Sequence, residues 1–205
     1  MENGKKLYLY PLWLRIWHGI NALGILVLIF SGISLHYSTR GALLLRFDIA
    51  IAVHNIAGVI ITFNYFIFIL GNILTKNGQH YRVKVQGLPK RLMKQILYYT
   101  SGMFKGESSP YPVTEKRKFN PLQKYSYIFV MYIFLPALIV TGIALLFPEM
   151  IIEKVFRISG VMITAVLHGI LGFFVFLFLL IHLYVASMGK PPGKNYKSIL
   201  TGWHS

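Results

Sequence analysis

The chain has 205 residues, a net charge of +15, 55% hydrophobic residues and only 13% charged ones. Soluble domains carry roughly 25% charged residues, so this composition excludes an ordinary cytosolic globule, and the long apolar runs exclude a disordered chain. There is no cysteine, which excludes disulfides, iron–sulfur ligation, thiolate catalysis and covalent haem attachment through C-x-x-C-H.

A helix needs roughly 20 apolar residues to cross a hydrocarbon core of about 30 Å. Four stretches free of Lys, Arg, Asp and Glu qualify, at 16–35, 49–74, 125–148 and 158–189. The helices built on them are expected at about 12–35, 49–74, 124–148 and 158–189 within a single integral membrane domain spanning 1–205. Their ends are marked by Pro11, Asp48, Asn120-Pro121, Pro148 and Pro191-Pro192. Pro136 falls inside the third and predicts a kink. No internal repeat is evident. The first run is too long for a cleaved signal, and no small-x-small site clearly follows it. The fold class is therefore an all-α membrane protein, a bundle of four transmembrane helices.

The basic residues orient the bundle. Seventeen Lys and Arg lie in the N-terminal stretch, the 75–124 connection and the tail, against four (Arg40, Arg46, Lys154, Arg157) in the two opposite loops. The positive-inside rule then puts both termini on the cytoplasmic side. With such long apolar runs, the charge excess points to a membrane surface rather than to nucleic acid. Within the connection, Lys90, Arg91 and Lys94 alternate with Leu92, Met93, Ile96 and Leu97. This reads as an amphipathic cytoplasmic helix over about 88–103, lying on anionic lipid or offering a docking surface.

Ionisable groups inside a membrane are costly and usually functional. Four histidines, His18, His54, His168 and His182, lie in the apolar segments. At 100° per residue the 14-residue spacing of His168 and His182 brings them within about 40° of one face, about 21 Å apart along the axis. The orientation above places His18 and His182 near the inner surface, and His54 and His168 near the outer one. Each histidine has Gly or Ala one turn on: Ala22, Gly58, Gly172 and Ala186. Small residues there make room for a large flat ligand, and Gly19 and Gly169 add to it.

Zinc normally takes four ligands, often with cysteine, and these segments offer no carboxylate. Nor is there a nucleophile–base pair, so no catalytic residue is assigned. Two imidazoles on facing helices suit a bis-histidine b-type haem. Two haems are expected, an inner one on His18/His182 and an outer one on His54/His168. Coordinative saturation of the iron favours electron transfer over oxygen chemistry. Arg15, one turn before His18, is a candidate for the inner propionates, and Arg46 a weaker one for the outer. Interfacial snorkelling is the competing role for both.

These residues resemble those of the four-helix dihaem cytochrome b subunits of formate dehydrogenases, nickel–iron hydrogenases and thiosulfate reductases, the bacterial cytochrome b561-like superfamily. The resemblance covers nearly the whole chain. It is carried by Arg15-Ile-Trp-His18, His54, and His168 with His182. It implies the same two ligand pairs and a multi-pass protein of the bacterial cytoplasmic membrane. It also implies an iron–sulfur, multihaem or catalytic subunit docked outside. The stretch Lys118-Phe-Asn-Pro-Leu-Gln-Lys124 is similar to a K-F-N-x-x-Q-K stretch of the formate dehydrogenase subunits. That similarity implies that Asn120 and Gln123 contact a menaquinone or ubiquinone near His182. Asn120 followed by Pro121 is equally the pattern of a helix cap.

The expected function is an electron-transfer subunit and membrane anchor between an extracytoplasmic oxidoreductase subunit and the quinone pool. A free-standing cytochrome b561-like quinone oxidoreductase is the alternative, and a haem-free anchor is a third reading.

Overall fold

The structure, a computed structural model, describes residues 6–37, 45–188 and 193–204. Lys5, Arg40, Lys190 and Pro191-Pro192, used above, lie outside the described residues. In chain order the protein runs β1 (Leu7–Tyr8), α1 (Leu12–His36), α2 (Phe47–Leu74), a 3-10 turn (Lys76–Tyr81) and α3 (Leu88–Leu97). Then follow α4 (Pro121–Leu146), the ribbon of β2 (Lys154–Val155) and β3 (Ile158–Ser159), α5 (Gly160–Ser187), α6 (Lys194–Thr201) and β4 (Trp203–His204). Helices α1, α2, α4 and α5 are long and apolar enough to cross a membrane.

Local chemistry moves the helix ends away from the ends of the apolar runs. α4 starts at Pro121 because Asn120 Oδ1 accepts the Gln123 N–H at 2.9 Å, while Gln123 Oε1 accepts the Asn120 N–H at 3.2 Å. This is a capping box, and Pro121 takes the first position, where a missing N–H leaves nothing unpaired. α5 starts at Gly160 because Ile158–Ser159 pairs with Lys154–Val155 instead. Near Pro136 the helix type of α4 changes. Just before it, Val130–Phe134 widens into a π turn, with the Leu135 N–H reaching back to the Val130 carbonyl. Such turns absorb the bond that proline cannot make.

The bundle is built from two helical hairpins, α1–α2 and α4–α5. α1 and α2 approach closely where glycine permits it: a Cβ added at Gly24 would lie 2.5 Å from Ile61 Cδ1. Small residues let membrane helices pack by close contact. The hairpin is pinned by a reciprocal pair of bonds. Trp17 Nε1 donates to the Asn64 carbonyl at 2.9 Å, and Asn64 Nδ2 donates to the Trp17 carbonyl at 3.1 Å. The Trp17 ring also stacks on Phe68 with centroids 4.6 Å apart. The buried core joins all four long helices through residues such as Ile25, Ile61, Phe68, Leu135 and Val175. α5 packs along α4 and makes only sparse backbone approach to α1 and α2.

The pairing of β1 with β4, Leu7 to His204 and Tyr8 to Trp203, holds both chain ends at one end of the bundle. Lys118, whose Nζ lies 4.2 Å over the Tyr10 ring, brings the 75–124 connection to that same basic end. There α3 forms as the amphipathic pattern predicts and continues into a wide turn at Tyr98–Gly102. It turns Gln95 inward and leaves Met93 and Leu97 exposed.

One expectation needs correction. Whole segments do not repeat, but short elements of the two hairpins do. Ser31-Gly32-Ile33 in α1 matches Thr141-Gly142-Ile143 in α4, and His54-x-Ile56-x-Gly58 in α2 matches His168-x-Ile170-x-Gly172 in α5. Unequal loops and unrelated neighbours separate the matching elements, which occupy corresponding helices of the two hairpins.

Asn64→Leu, which removes one of the two bonds to Trp17, is expected to lower stability by about 0.6–1.7 kcal/mol, the range for interhelical bonds in membranes. Unfolding in mixed micelles measures it.

Candidate functional site

The four histidines fall into two facing pairs. His18 on α1 faces His182 on α5 with ring centroids 6.3 Å apart and planes at 51°. His54 on α2 faces His168 on α5, again at 6.3 Å, with planes at 70°. These are the pairs that depth predicted. An imidazole nitrogen sits about 2.0–2.1 Å from a first-row metal and about 1.1 Å from its own ring centre, so two imidazoles opposed on one metal have centres about 6.3 Å apart. Both pairs have that separation.

The donor set fits haem better than a bare ion. Among the described residues no group of three or more His, Cys, Asp or Glu side chains could hold a metal. Two imidazoles fill only the axial positions and leave the remainder to a macrocycle. Space is present for one. A Cβ added at Gly58 or Gly172 would meet nothing within 4 Å, and the same is true at Gly19 and Gly169. The slot lies where α5 stands off from α1 and α2.

Hydroxyl groups hold three of the imidazoles by Nδ1. Ser31 Oγ lies 2.9 Å from His54 Nδ1, and Thr141 Oγ1 lies 2.8 Å from His168 Nδ1. Tyr127 OH is 3.4 Å from His182 Nδ1, and Phe178 stacks on the same ring at 5.7 Å. Among the described residues no hydrogen bond reaches Nε2 of any of the four.

Of the other predicted residues, Arg15, Asn120 and Gln123 lie toward the basic end and Arg46 at the opposite end, where it precedes α2. Arg15 donates to the Leu200 carbonyl near the end of α6, and its Nε is buried without a hydrogen-bond partner among the described residues. Arg46 pairs with Asp48 at 2.9 Å. Asn120 caps α4 and donates from Nδ2 to Tyr99 OH at 2.8 Å, so its Oδ1 is committed to the cap. Gln123 contributes Oε1 to the capping box, which leaves its Nε2 without a protein partner in the hydrogen-bond network.

Lys118 is a site residue that sequence reasoning did not single out. It is 4% exposed, and among the described residues Nζ meets the Tyr10 ring, the Phe119 ring and Asn77 Oδ1 at 3.4 Å. Burial pushes its ammonium down to about 7. Lys118 and Lys124, with burial the larger cause, hold the nearby His80 down at about 4. Burial also raises the Tyr10 phenol to about 12. The Phe119 ring that Nζ approaches lies edge-on to Tyr127, and Tyr127 in turn contacts His182, so Lys118 sits at the His18/His182 end of the bundle. Its place in the Lys118–Lys124 stretch was the available signal. Nothing in the sequence marks it as more buried than its ten basic neighbours in the connection.

A sequence model of prokaryotic cytochrome b561 matches residues 9–202. A protein described as "Putative cytochrome YdhU" from Escherichia coli (strain K12) is 35% identical over 203 residues, covering 99% of this chain and 76% of that protein. No solved structure matches. The match runs through all four apolar helices, which makes the chain a multi-pass bacterial membrane protein of the b-type haem, electron-transferring kind. The chain belongs to the prokaryotic cytochrome b561 family.

Proposed function

We propose that this protein is a dihaem electron-transfer subunit that links a redox partner on the side opposite its basic end to membrane quinone at the basic end. The observation that carries the reading is the common 6.3 Å separation of two imidazole pairs at two heights along α5. Bound there, haem b would supply reversible one-electron transfer. His18 and His182 would hold the group nearer the basic end, and His54 and His168 the other. Gly58 and Gly172, with Ala22 and Ala186, leave room for the macrocycle. Arg15 and Lys118 are the cations near enough to the His18/His182 level to balance propionate charge, because a buried carboxylate needs a paired charge.

The basic end is the cytoplasmic one on the positive-inside argument, which gives both termini a cytoplasmic location. The quinone would bind there. Asn120 and Gln123 are held rigidly by their reciprocal cap, and Gln123 Nε2 keeps donor capacity for a quinone carbonyl. Lys118 can hold or release a proton near neutral pH beside them. The cysteine-free sequence offers no iron–sulfur ligands. An external iron–sulfur or multihaem subunit would therefore supply substrate chemistry.

Pyridine haemochrome assay of the purified protein is expected to give two haem b per chain; one or none overturns the dihaem reading. His54→Ala and His168→Ala are each expected to remove one haem and leave the other, with His18→Ala removing the second. Equal loss of both from every variant argues against separate sites. Asn120→Asp keeps a good cap but loses the amide donor. It is expected to slow quinone turnover about tenfold with unchanged spectra, as the loss of a bond worth about 1–1.5 kcal/mol would. Unaltered kinetics returns Asn120 to capping alone. Quinone reduction by the isolated chain with a small soluble donor favours the free-standing oxidoreductase instead.

A further inference from the structure

The two histidines of the outer level rest on the same local device. In α1, Ser31 Oγ lies 2.7 Å from the Val27 carbonyl and 2.9 Å from His54 Nδ1. In α4, Thr141 Oγ1 lies 2.8 Å from the Ala137 carbonyl and 2.8 Å from His168 Nδ1. A hydroxyl has one proton. A carbonyl oxygen cannot donate, so at these distances the proton lies on the carbonyl contact. The hydroxyl oxygen is then left with lone pairs only, and the imidazole must supply the hydrogen from Nδ1. In a neutral imidazole with its proton on Nδ1, Nε2 is the bare lone pair.

Glycine completes the device on both sides. A Cβ added at Gly32 would lie 3.5 Å from His54 Cε1, and one at Gly142 would lie 3.2 Å from His168 Cε1. The ring edge therefore lies against the backbone of the neighbouring helix, next to the hydroxyl that holds it. Ser31 is fully buried, at 0% exposure, so its hydroxyl is held among protein groups rather than lipid. The inner level is built differently. His182 meets only the longer contact from Tyr127, and His18 has no hydrogen bond among the described residues.

We propose that Ser31 and Thr141 are positioning residues of the His54/His168 pair, each locking its imidazole with the proton on Nδ1 and Nε2 free to bind haem iron. This rests on the dihaem reading above. A hydrogen-bond acceptor on the ligand's far nitrogen raises its basicity and favours the oxidised metal. Ser31→Ala or Thr141→Val should therefore raise the midpoint potential of one haem only.

The test is a redox titration of purified protein, with the outer haem identified by its loss in His54→Ala. Wild type is expected to hold two haems. Ser31→Ala and Thr141→Val are each expected to shift the outer haem's potential upward and leave the inner one in place. Ser31→Thr and Thr141→Ser, which keep the oxygen, are expected to restore it. Should Ser31→Ala or Thr141→Val lose the outer haem, full haem content in the hydroxyl-retaining variants supports the proposal and loss there too overturns it. Unchanged potentials with both haems bound, equal shifts of both, or an equal shift in the hydroxyl-retaining variants overturn it. A wild-type chain without two haems overturns the dihaem reading itself, and the hydroxyl roles fall with it.

Discussion

A single helix, α5, must present two imidazoles to two different partners at two heights. The rest of the bundle is arranged to meet that constraint. Its residues 168 and 182 lie about 21 Å apart along the axis and on nearly one face. α1 and α2 run in opposite directions, so one brings His18 to the basic end and the other brings His54 to the far end. Because both partners come from the same hairpin, its internal geometry sets the spacing of the two levels. The Trp17–Asn64 bonds matter for that reason: they fix the rotation of α1 against α2 immediately beside His18. Backbone approach of α5 to that hairpin is sparse, and the imidazoles bridge it together with Val175 in the shared buried core.

The two ends of the bundle differ in chemistry. The basic end gathers the paired chain termini, the surface helix α3, the capped start of α4 and the buried Lys118. A buried ammonium without a carboxylate is unfavourable, and here its compensation among the described residues is an aromatic face and an amide oxygen. That leaves it available to an incoming anion or carbonyl. The opposite end carries fewer charges, and the short β2–β3 ribbon turns there through Phe156 and Arg157 at φ of 48° and 68°. Phe156 is 95% exposed at its tip.

Family membership makes the chain a membrane cytochrome of the b type, and the geometry adds detail on how the chain serves that role. Hydroxyls back His54 and His168, whereas the His18/His182 pair has, among the described residues, a long phenol contact on one side only. Imidazoles supported unequally have unequal donor strength, so the two levels are chemically distinct although their ring separations agree.

The four spanning helices, their order and the two histidine levels were legible in the sequence. Apolar length, the 3.6-residue period and the positions of Lys and Arg are one-dimensional consequences of the bilayer. The ends of α4 and α5 were displaced because a capping box and a strand pair, not hydropathy, define them. The shared Ser/Thr-Gly and His-x-Ile-x-Gly elements were present in the sequence but meaningless until α1 was laid against α2 and α4 against α5. Ser31 and His54 are far apart along the chain, and only packing brings a hydroxyl to an imidazole. The burial of Lys118 among equally basic neighbours was likewise decided by tertiary structure. Composition sets how many charges a segment carries, but the folded contacts select which one loses its water.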